Sequence, residues 1–127
     1  MNTESMARLC TCHKDLIDLI TEVDRYFPLT VLVGYRGKDE QDKAVIEGNS
    51  KKPFPHSKHN ENPSRAVDIS FLPVNFENVK KFYFMGGFVL ALAKKMNIKI
   101  RWGGDWDSDF DFSDQKFNDL VHFELID

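Results

Sequence analysis

Four residues that lie far apart in the sequence carry side chains suited to a metal centre. His59 and Asp68 lie near the middle of the chain, and Asp119 and His122 lie close to its end. Two histidines and one aspartate match the ligand number of a catalytic zinc site, which keeps a fourth position for water, and the second aspartate can serve as a general base. Ligands from such distant segments meet only if the fold brings them together, so this set constrains both the fold and the chemistry.

The length and charge of the chain narrow its class. With 127 residues we expect one domain over residues 1–127, with a core rich in the 11 phenylalanines. A net charge of −3 argues against a nucleic-acid partner. No charged segment followed by an apolar one opens the chain, so we expect no signal peptide and synthesis in the cytoplasm. The longest apolar run, Phe82–Ala93, is too short to span a bilayer and predicts a buried helix.

Hydrophobic spacing predicts interleaved helices and short strands, and therefore an α+β fold. Helices are expected over about the first 25 residues (one helix or a pair), over Lys38–Gly48, and from Asn75 or Phe76 to Met96. Strands are expected at Val31–Val33, Ala66–Phe71, Ile98–Trp102 and Leu120–Ile126. The last strand alternates, so His122 and Glu124 share one face.

Two irregular segments and a pair of glycines are also informative. Asn49–Pro63 is the longest stretch without a pattern, and long loops in compact domains are usually functional or disordered. Gly86 and Gly87 lie inside the predicted third helix, where they weaken it, so we expect them to permit close packing against a neighbouring element.

The two cysteines are too close in sequence to join distant parts of the fold. Cys10 and Cys12 precede His13, so a Cys-x-Cys-His metal site is one interpretation. The alternative is that both are small residues on or beside a helix in a reducing compartment.

Several motifs resemble one family of metallopeptidases. Ser57–His59 followed by Ser64–Asp68 resembles the Ser-x-His and Ala-x-Asp signature of the zinc D-alanyl-D-alanine peptidases. That family includes the vancomycin-resistance D,D-dipeptidases and the phage L-alanyl-D-glutamate endolysins. Asp119–Glu124 is similar to its second signature, in which an acid precedes a histidine by three residues.

The resemblance runs in order from about Leu9 to Leu125. Further similar elements are Gly34–Arg36 with Gln41, and, in the endolysin branch, Trp102–Trp106 and Asp114–Phe117. The chain departs from the family in two ways. The interval from His59 to Asp68 is longer and lacks the usual glycine, so the loop between them must bulge, and residue 119 is Asp where several relatives have Glu.

The resemblance implies specific roles at the centre of the site. His59, Asp68 and His122 would hold one Zn²⁺ per chain, and Asp119 would take a proton from the attacking water. Arg36 would stabilise the negative charge that develops on the scissile carbonyl oxygen, although a surface salt bridge is the alternative from the residue type alone.

Three further residues are candidates around that centre. Ser57 and Gln41 are candidates for substrate contact. The alternative for Ser57 is a turn cap, and for Gln41 a hydrogen-bond support of the Arg36 loop. Glu124 is expected to orient a histidine ligand, the alternative being a solvated carboxylate.

An acidic segment follows the third predicted strand. Asp105, Asp107, Asp109 and Asp111 repeat at every second position. The spacing resembles the start of a calcium loop, but Phe110 and Lys116 stand where an EF-hand needs Gly and Glu. We therefore exclude an EF-hand and retain two interpretations, a looser Ca²⁺ site or an acidic lid that faces the substrate.

The expected protein is a zinc peptidase that hydrolyses peptidoglycan stem peptides, with an antiparallel sheet and helices on one side of it. The endolysin-like segments favour an L-alanyl-D-glutamate endopeptidase of a phage lysis system over a D,D-carboxypeptidase. We expect a monomer that reaches the cell wall after the membrane has been permeabilised. The rival is a non-catalytic peptide-binding module, which a fourth protein ligand such as His56 would favour.

Overall fold

The helices and strands follow the order that the hydrophobic pattern predicts. The computed structural model describes residues 1–111, 113 and 118–127. The helices are α1 (Thr3–Leu9), α2 (Lys14–Tyr26), α3 (Lys38–Ile46) and α4 (Val79–Lys95), with a 3-10 helix at Lys58–Asn60. The strands are β1 (Leu29–Val33), β2 (Ala66–Phe71), β3 (Ile100–Gly103) and β4 (Asp119–Leu125).

The strands form one antiparallel sheet in the order β1-β2-β4-β3. Since β2 and β4 are the central pair, side chains from these two strands lie next to each other over the middle of the sheet. The α+β class and the antiparallel sheet of the sequence prediction are confirmed.

One face of the sheet carries the hydrophobic core. Helix α1 packs against β1, while α4 packs against α2 and against strands β2, β3 and β4. The apolar face of α2 is buried there, as are the inward-facing side chains of the strands, which include Val67, Ile69, Phe71, Trp102 and Phe123. Phenylalanine contributes less to this core than its abundance predicts, because Phe76, Phe84 and Phe110 are exposed.

Gly86 explains how α4 approaches the sheet. A Cβ atom at this position would lie 2.3 Å from the ring of Trp102, so only glycine allows the helix to lie against that side chain. The expected close packing therefore holds at Gly86. It does not hold at Gly87, where a Cβ atom would meet nothing within 4 Å.

The opposite face of the sheet is polar and is covered by the segment between α3 and β2. That segment was expected to be irregular throughout, but it contains the 3-10 helix, which packs against β2. The polar face carries Asp68 from β2 and both His122 and Glu124 from β4, all of them buried. None of the helices in the described ranges is long and apolar enough to cross a membrane.

Candidate active site

The 3-10 helix holds His59 over the polar face of the sheet. Ser57 caps this helix, since its Oγ accepts a hydrogen bond from the His59 amide at 3.2 Å and its own amide donates to Asn60 Oδ1 at 3.1 Å. The His59 side chain is 2% exposed, and its Nδ1 lies 2.8 Å from the Gly34 carbonyl oxygen. On the other side of the ring, Nε2 lies within hydrogen-bond distance of Asp68, so the ring is fixed by contacts on both sides.

Asp68 and His122 are cross-strand partners in the β2–β4 ladder, which brings residues 54 positions apart into contact. Asp68 Oδ1 lies 3.0 Å from His122 Nδ1 and 3.1 Å from His59 Nε2. The two ring nitrogens lie 3.3 Å from each other. We call these three residues the His–Asp–His group; their ligand atoms converge closely enough to hold one metal ion.

The hydrogen bonds on the far side of each ring favour metal binding. His59 Nδ1 faces a carbonyl oxygen and His122 Nε2 lies 2.8 Å from Glu124 Oε1, and both oxygens only accept. Each neutral ring therefore keeps its hydrogen on the outer nitrogen and directs a lone pair toward Asp68. Two lone pairs and a carboxylate oxygen facing one another are the donor set of a cation site, and outer partners of this kind orient histidine ligands.

Protons compete for the same atoms. Burial alone would lower the pKa of His122, but its hydrogen bonds to Asp68 and Glu124 raise the pKa to about 9. Burial would raise the pKa of Asp68, yet the charges and hydrogen bonds of the two histidines hold that pKa well below its usual range. Metal binding at the His–Asp–His group must therefore displace a proton and weaken as the pH falls.

Asp119 lies beside the His–Asp–His group, and these four side chains line one cleft. Its carboxyl pKa is raised to about 6, because the half-buried side chain is partly desolvated and because the negative charge of Asp68 is near, against the opposing charges of His122, His59 and Arg36. A carboxyl group that titrates near neutral pH can both accept and release a proton under working conditions.

Arg36 reaches the same place from the loop after β1. Its Nη2 lies 3.8 Å from Asp68 Oδ2, and its Nη1 donates to Gln41 Oε1 at 3.1 Å. Gln41 is fully buried, and its Nε2 donates to Ser50 Oγ and to the Lys52 carbonyl. Gln41 thus supports the Arg36 loop through hydrogen bonds, which was the alternative interpretation of this residue. Both N–H groups of its side chain bind other described residues, which leaves no amide N–H for contact with a substrate.

Ser57 and Glu124 also border the cleft. Ser57 is both a helix cap and a cleft residue, so the two interpretations of this serine are compatible. Glu124 is buried and bound to His122 through Oε1, while Oε2 accepts from Arg101 Nη2 at 2.9 Å. Although burial opposes it, the hydrogen bonds from His122 and Arg101 lower the pKa of Glu124 to about 2. Glu124 is therefore not the solvated carboxylate of the alternative interpretation.

The cleft has a volume of about 320 Å³. Its lining includes Lys51, Lys52 and Arg101, which the sequence did not indicate. It also includes Lys58 and Trp106, which lie in the family-like motifs but had been given no role of their own. The Trp106 ring lies 5.5 Å from the His122 ring, centroid to centroid. Alternation in β3 indicates that Arg101 faces away from the core, but only the strand register identifies Glu124 as its partner.

The acidic segment forms a second cluster of oxygen ligands. Asp105, Asp107 and Asp109 each offer a carboxylate oxygen within metal-binding range of the others, and Asp105 is 2% exposed. The Oδ1 atom of Asp105 is buried and has no hydrogen-bond partner among residues 1–111, 113 and 118–127. Asp111 is outside this cluster and accepts instead from Ser113. The whole motif Asp114–Phe117, including Lys116, lies outside the described residues.

Other metal-binding arrangements are not formed by the described residues. His56 is exposed and does not belong to the His–Asp–His group, so residues 1–111, 113 and 118–127 supply no fourth ligand there. Cys10 is exposed, Cys12 is buried, and neither joins His13 in a metal-binding cluster. His13 instead caps α2 by accepting from the Asp15 amide.

An antiparallel sheet with helices on one side and a histidine–aspartate cleft on the other is the architecture expected of a small metallopeptidase. The sequence profile of the phage L-alanyl-D-glutamate peptidases matches residues 1–126, and the chain belongs to this family. Its activity class is peptidoglycan endopeptidase.

A solved structure supports the same assignment. The L-Ala D-Glu endopeptidase ChiX of Serratia marcescens is 26% identical to this chain, with a TM-score of 0.77. The match covers 99% of this chain and 89% of the Serratia chain. No curated protein sequence matches the chain significantly.

Proposed function

We propose that the protein is a zinc-dependent endopeptidase that cleaves the L-Ala–D-Glu bond of peptidoglycan stem peptides during phage lysis. The observation that carries the proposal is the convergence of His59 Nε2, Asp68 Oδ1 and His122 Nδ1 within 3.3 Å of one another, with Asp119 in the same cleft. Three protein donors and a neighbouring acid match a catalytic zinc site, whereas a structural zinc site has four protein ligands.

A bound zinc would act there as a Lewis acid that lowers the pKa of a water to about 7. Asp119 accepts a proton from the attacking water and passes it to the nitrogen of the leaving amine. Arg36, held by Gln41, donates hydrogen bonds to the scissile carbonyl oxygen as negative charge develops on it. Glu124 keeps the His122 ring in one tautomer and orientation.

The protein acts as a monomer on the stem peptide and reaches the cell wall once the membrane has been permeabilised. The family of phage peptidases supports action on the wall.

The decisive experiment is digestion of purified muropeptides of known sequence, followed by identification of the new termini by mass spectrometry. We expect a new N-terminal D-Glu, activity lost after chelation, and activity restored by about one equivalent of Zn²⁺ per chain. A new D-Ala terminus would instead make the enzyme a D,D-carboxypeptidase. Binding of the muropeptide without any cleavage in the zinc-loaded protein would favour the non-catalytic module.

A further inference from the structure

The cleft is positively charged although the chain as a whole is negative. The chain carries a net charge of −3. Among the described residues that line the cleft, cationic side chains outnumber carboxylates: Arg36, Lys51, Lys52, Lys58 and Arg101 against Asp68, Asp119 and Glu124. A divalent metal at the His–Asp–His group would add to this excess. A concave site with such a local charge attracts an anionic ligand.

Arg101 has unused hydrogen-bonding capacity at this cleft. It lies on β3 directly opposite Glu124 of β4, and Nη2 donates to Glu124 Oε2 at 2.9 Å. Its Nε is buried and makes no hydrogen bond in the described part of the chain, whereas the side chain as a whole is 38% exposed, so a second anion would be bound by the Nη N–H groups that Glu124 does not occupy. A guanidinium has five N–H donors in a planar fork that matches a carboxylate, so Arg101 can bind a second anion while it keeps Glu124.

Glu124 does not neutralise the cations around it. Lys58 Nζ lies 3.7 Å from Glu124 Oε2 and donates to the Leu125 carbonyl, while Glu124 Oε1 is occupied by His122. One carboxylate is thus shared by Arg101, Lys58 and a histidine. Arg101 and Lys58 together therefore carry more positive charge than Glu124 neutralises. Glu124 lies two residues from His122 along β4, which corresponds to about 7 Å along the strand.

The substrate bond supplies a matching anion. In an L-Ala–D-Glu bond the amine belongs to a residue with two carboxyl groups, and only one of them can continue the peptide. The other is free, and when it is the α-carboxyl its carbon lies about 2.5 Å from the scissile nitrogen, two bonds away. An enzyme that acts on this bond must therefore accommodate a negative charge within a few ångströms of the reacting atoms.

We propose that Arg101, assisted by Lys58, binds the free carboxylate of the D-Glu residue on the amine side of the scissile bond. This inference rests on the proposed function. Arg36 is committed to Gln41 and faces Asp68, and Lys51 and Lys52 are exposed on a loop, whereas Arg101 is fixed on a strand. Arg101 is then a specificity residue that distinguishes a D-Glu carboxylate from the corresponding carboxamide.

The test compares two muropeptides that differ only in this group, one with the free carboxylate and one with the carboxamide. The quantity measured is the ratio of kcat/KM for the acid to that for the amide. Wild-type protein should prefer the acid by roughly tenfold or more, the scale of a charge-assisted hydrogen bond. Arg101→Gln should reduce the ratio to about one, mainly by raising KM for the acid, with zinc content unchanged.

Arg65→Gln is the matched control, because Arg65 pairs with the exposed Asp127 and does not line the cleft. It should keep the wild-type ratio. Lys58→Gln should lower the ratio partly, and this variant tests the site independently if Arg101→Gln does not fold.

The outcomes separate the inference from the proposed function. Equal cleavage of acid and amide by wild-type protein overturns the carboxylate site but leaves the peptidase activity intact. An Arg101→Gln variant that loses activity equally on both substrates also overturns it, since that is the behaviour of a purely structural residue. If wild-type protein cuts a different bond in both muropeptides, the proposed function fails and the D-Glu assignment falls with it.

Discussion

Asp119 lies opposite Gly103 in the β3–β4 ladder, at the position that an unbroken register would give to His122. The pairs Ile100–Leu125 to Trp102–Phe123 run in register, and the ladder then shifts before Gly103. Three residues apart on a regular strand, Asp119 and His122 would face opposite sides of the sheet. The bulge reverses the side on which Asp119 lies, so that acid and histidine border the same cleft. A Cβ at Gly103 would lie 2.1 Å from the Asp119 carbonyl oxygen, so glycine is required there.

Asp119→Asn should retain zinc and fold while losing roughly two to four orders of magnitude in kcat, because only the base is removed.

In the wild-type protein the rate should rise with pH through about 6, since burial and Asp68 raise the pKa of Asp119 to about that value and the base works only when deprotonated. A pH–rate profile and elemental analysis check both statements. Asp18→Asn, on α2, is the control. Loss of zinc from Asp119→Asn would make Asp119 a ligand.

His59→Ala should lose most of the bound zinc, because it removes one of three donors. His56→Ala provides a close control, since His56 is three residues away but exposed and outside the group. Elemental analysis of both variants, purified without chelator, measures the difference. Stoichiometric zinc in His59→Ala would disprove the ligand assignment.

Arg36→Ala should keep its zinc and lose activity mainly in kcat, by roughly 10²–10³-fold, the effect of removing a donor that acts in the transition state. Steady-state kinetics on one muropeptide would separate kcat from KM. A change confined to KM would instead assign Arg36 to ground-state binding of the substrate.

The sequence predicted the elements of the fold better than the contacts between them. Alternation in residues 120–126 predicted that His122 and Glu124 share a face, and the structure adds that they hydrogen-bond. The β3–β4 bulge left no pattern in the sequence, because a register shift depends on pairing with a distant strand. Arg101 was missed for the same reason, since its partner Glu124 is 23 residues away.

The two cysteines should differ sharply in reactivity. Burial raises the pKa of Cys12 to about 11, with a smaller contribution from Asp68 and against a hydrogen bond from Thr11. At pH 8 only about one Cys12 side chain in a thousand is then a thiolate, the reactive form. A thiol reagent should therefore modify the exposed Cys10 rapidly and Cys12 only after denaturation. Cys10→Ser should abolish the rapid phase, and rapid modification of two thiols in folded wild-type protein would contradict the prediction.

Calcium should bind the acidic segment and affect the neighbouring site. Asp105, Asp107 and Asp109 gather their carboxylates, and the buried Asp105 Oδ1 has no hydrogen-bond partner among the described residues. Burial and the neighbouring aspartates raise the pKa of Asp105, as expected where like charges meet without a cation. A hard cation with a preference for oxygen ligands would relieve this repulsion.

Trp106 connects that cluster to the His–Asp–His group, because it lies within the acidic segment and its ring is 5.5 Å from that of His122. Calcium added to zinc-loaded protein should therefore produce a saturable change in tryptophan fluorescence together with a change in the rate of wall lysis. Asp107→Asn should shift the fluorescence titration to higher calcium, whereas Asp18→Asn should not. Magnesium is the ion control, since it demands near-ideal octahedral geometry whereas calcium accepts varied arrangements of oxygen ligands. If neither signal responds at millimolar calcium, the segment is an acidic lid.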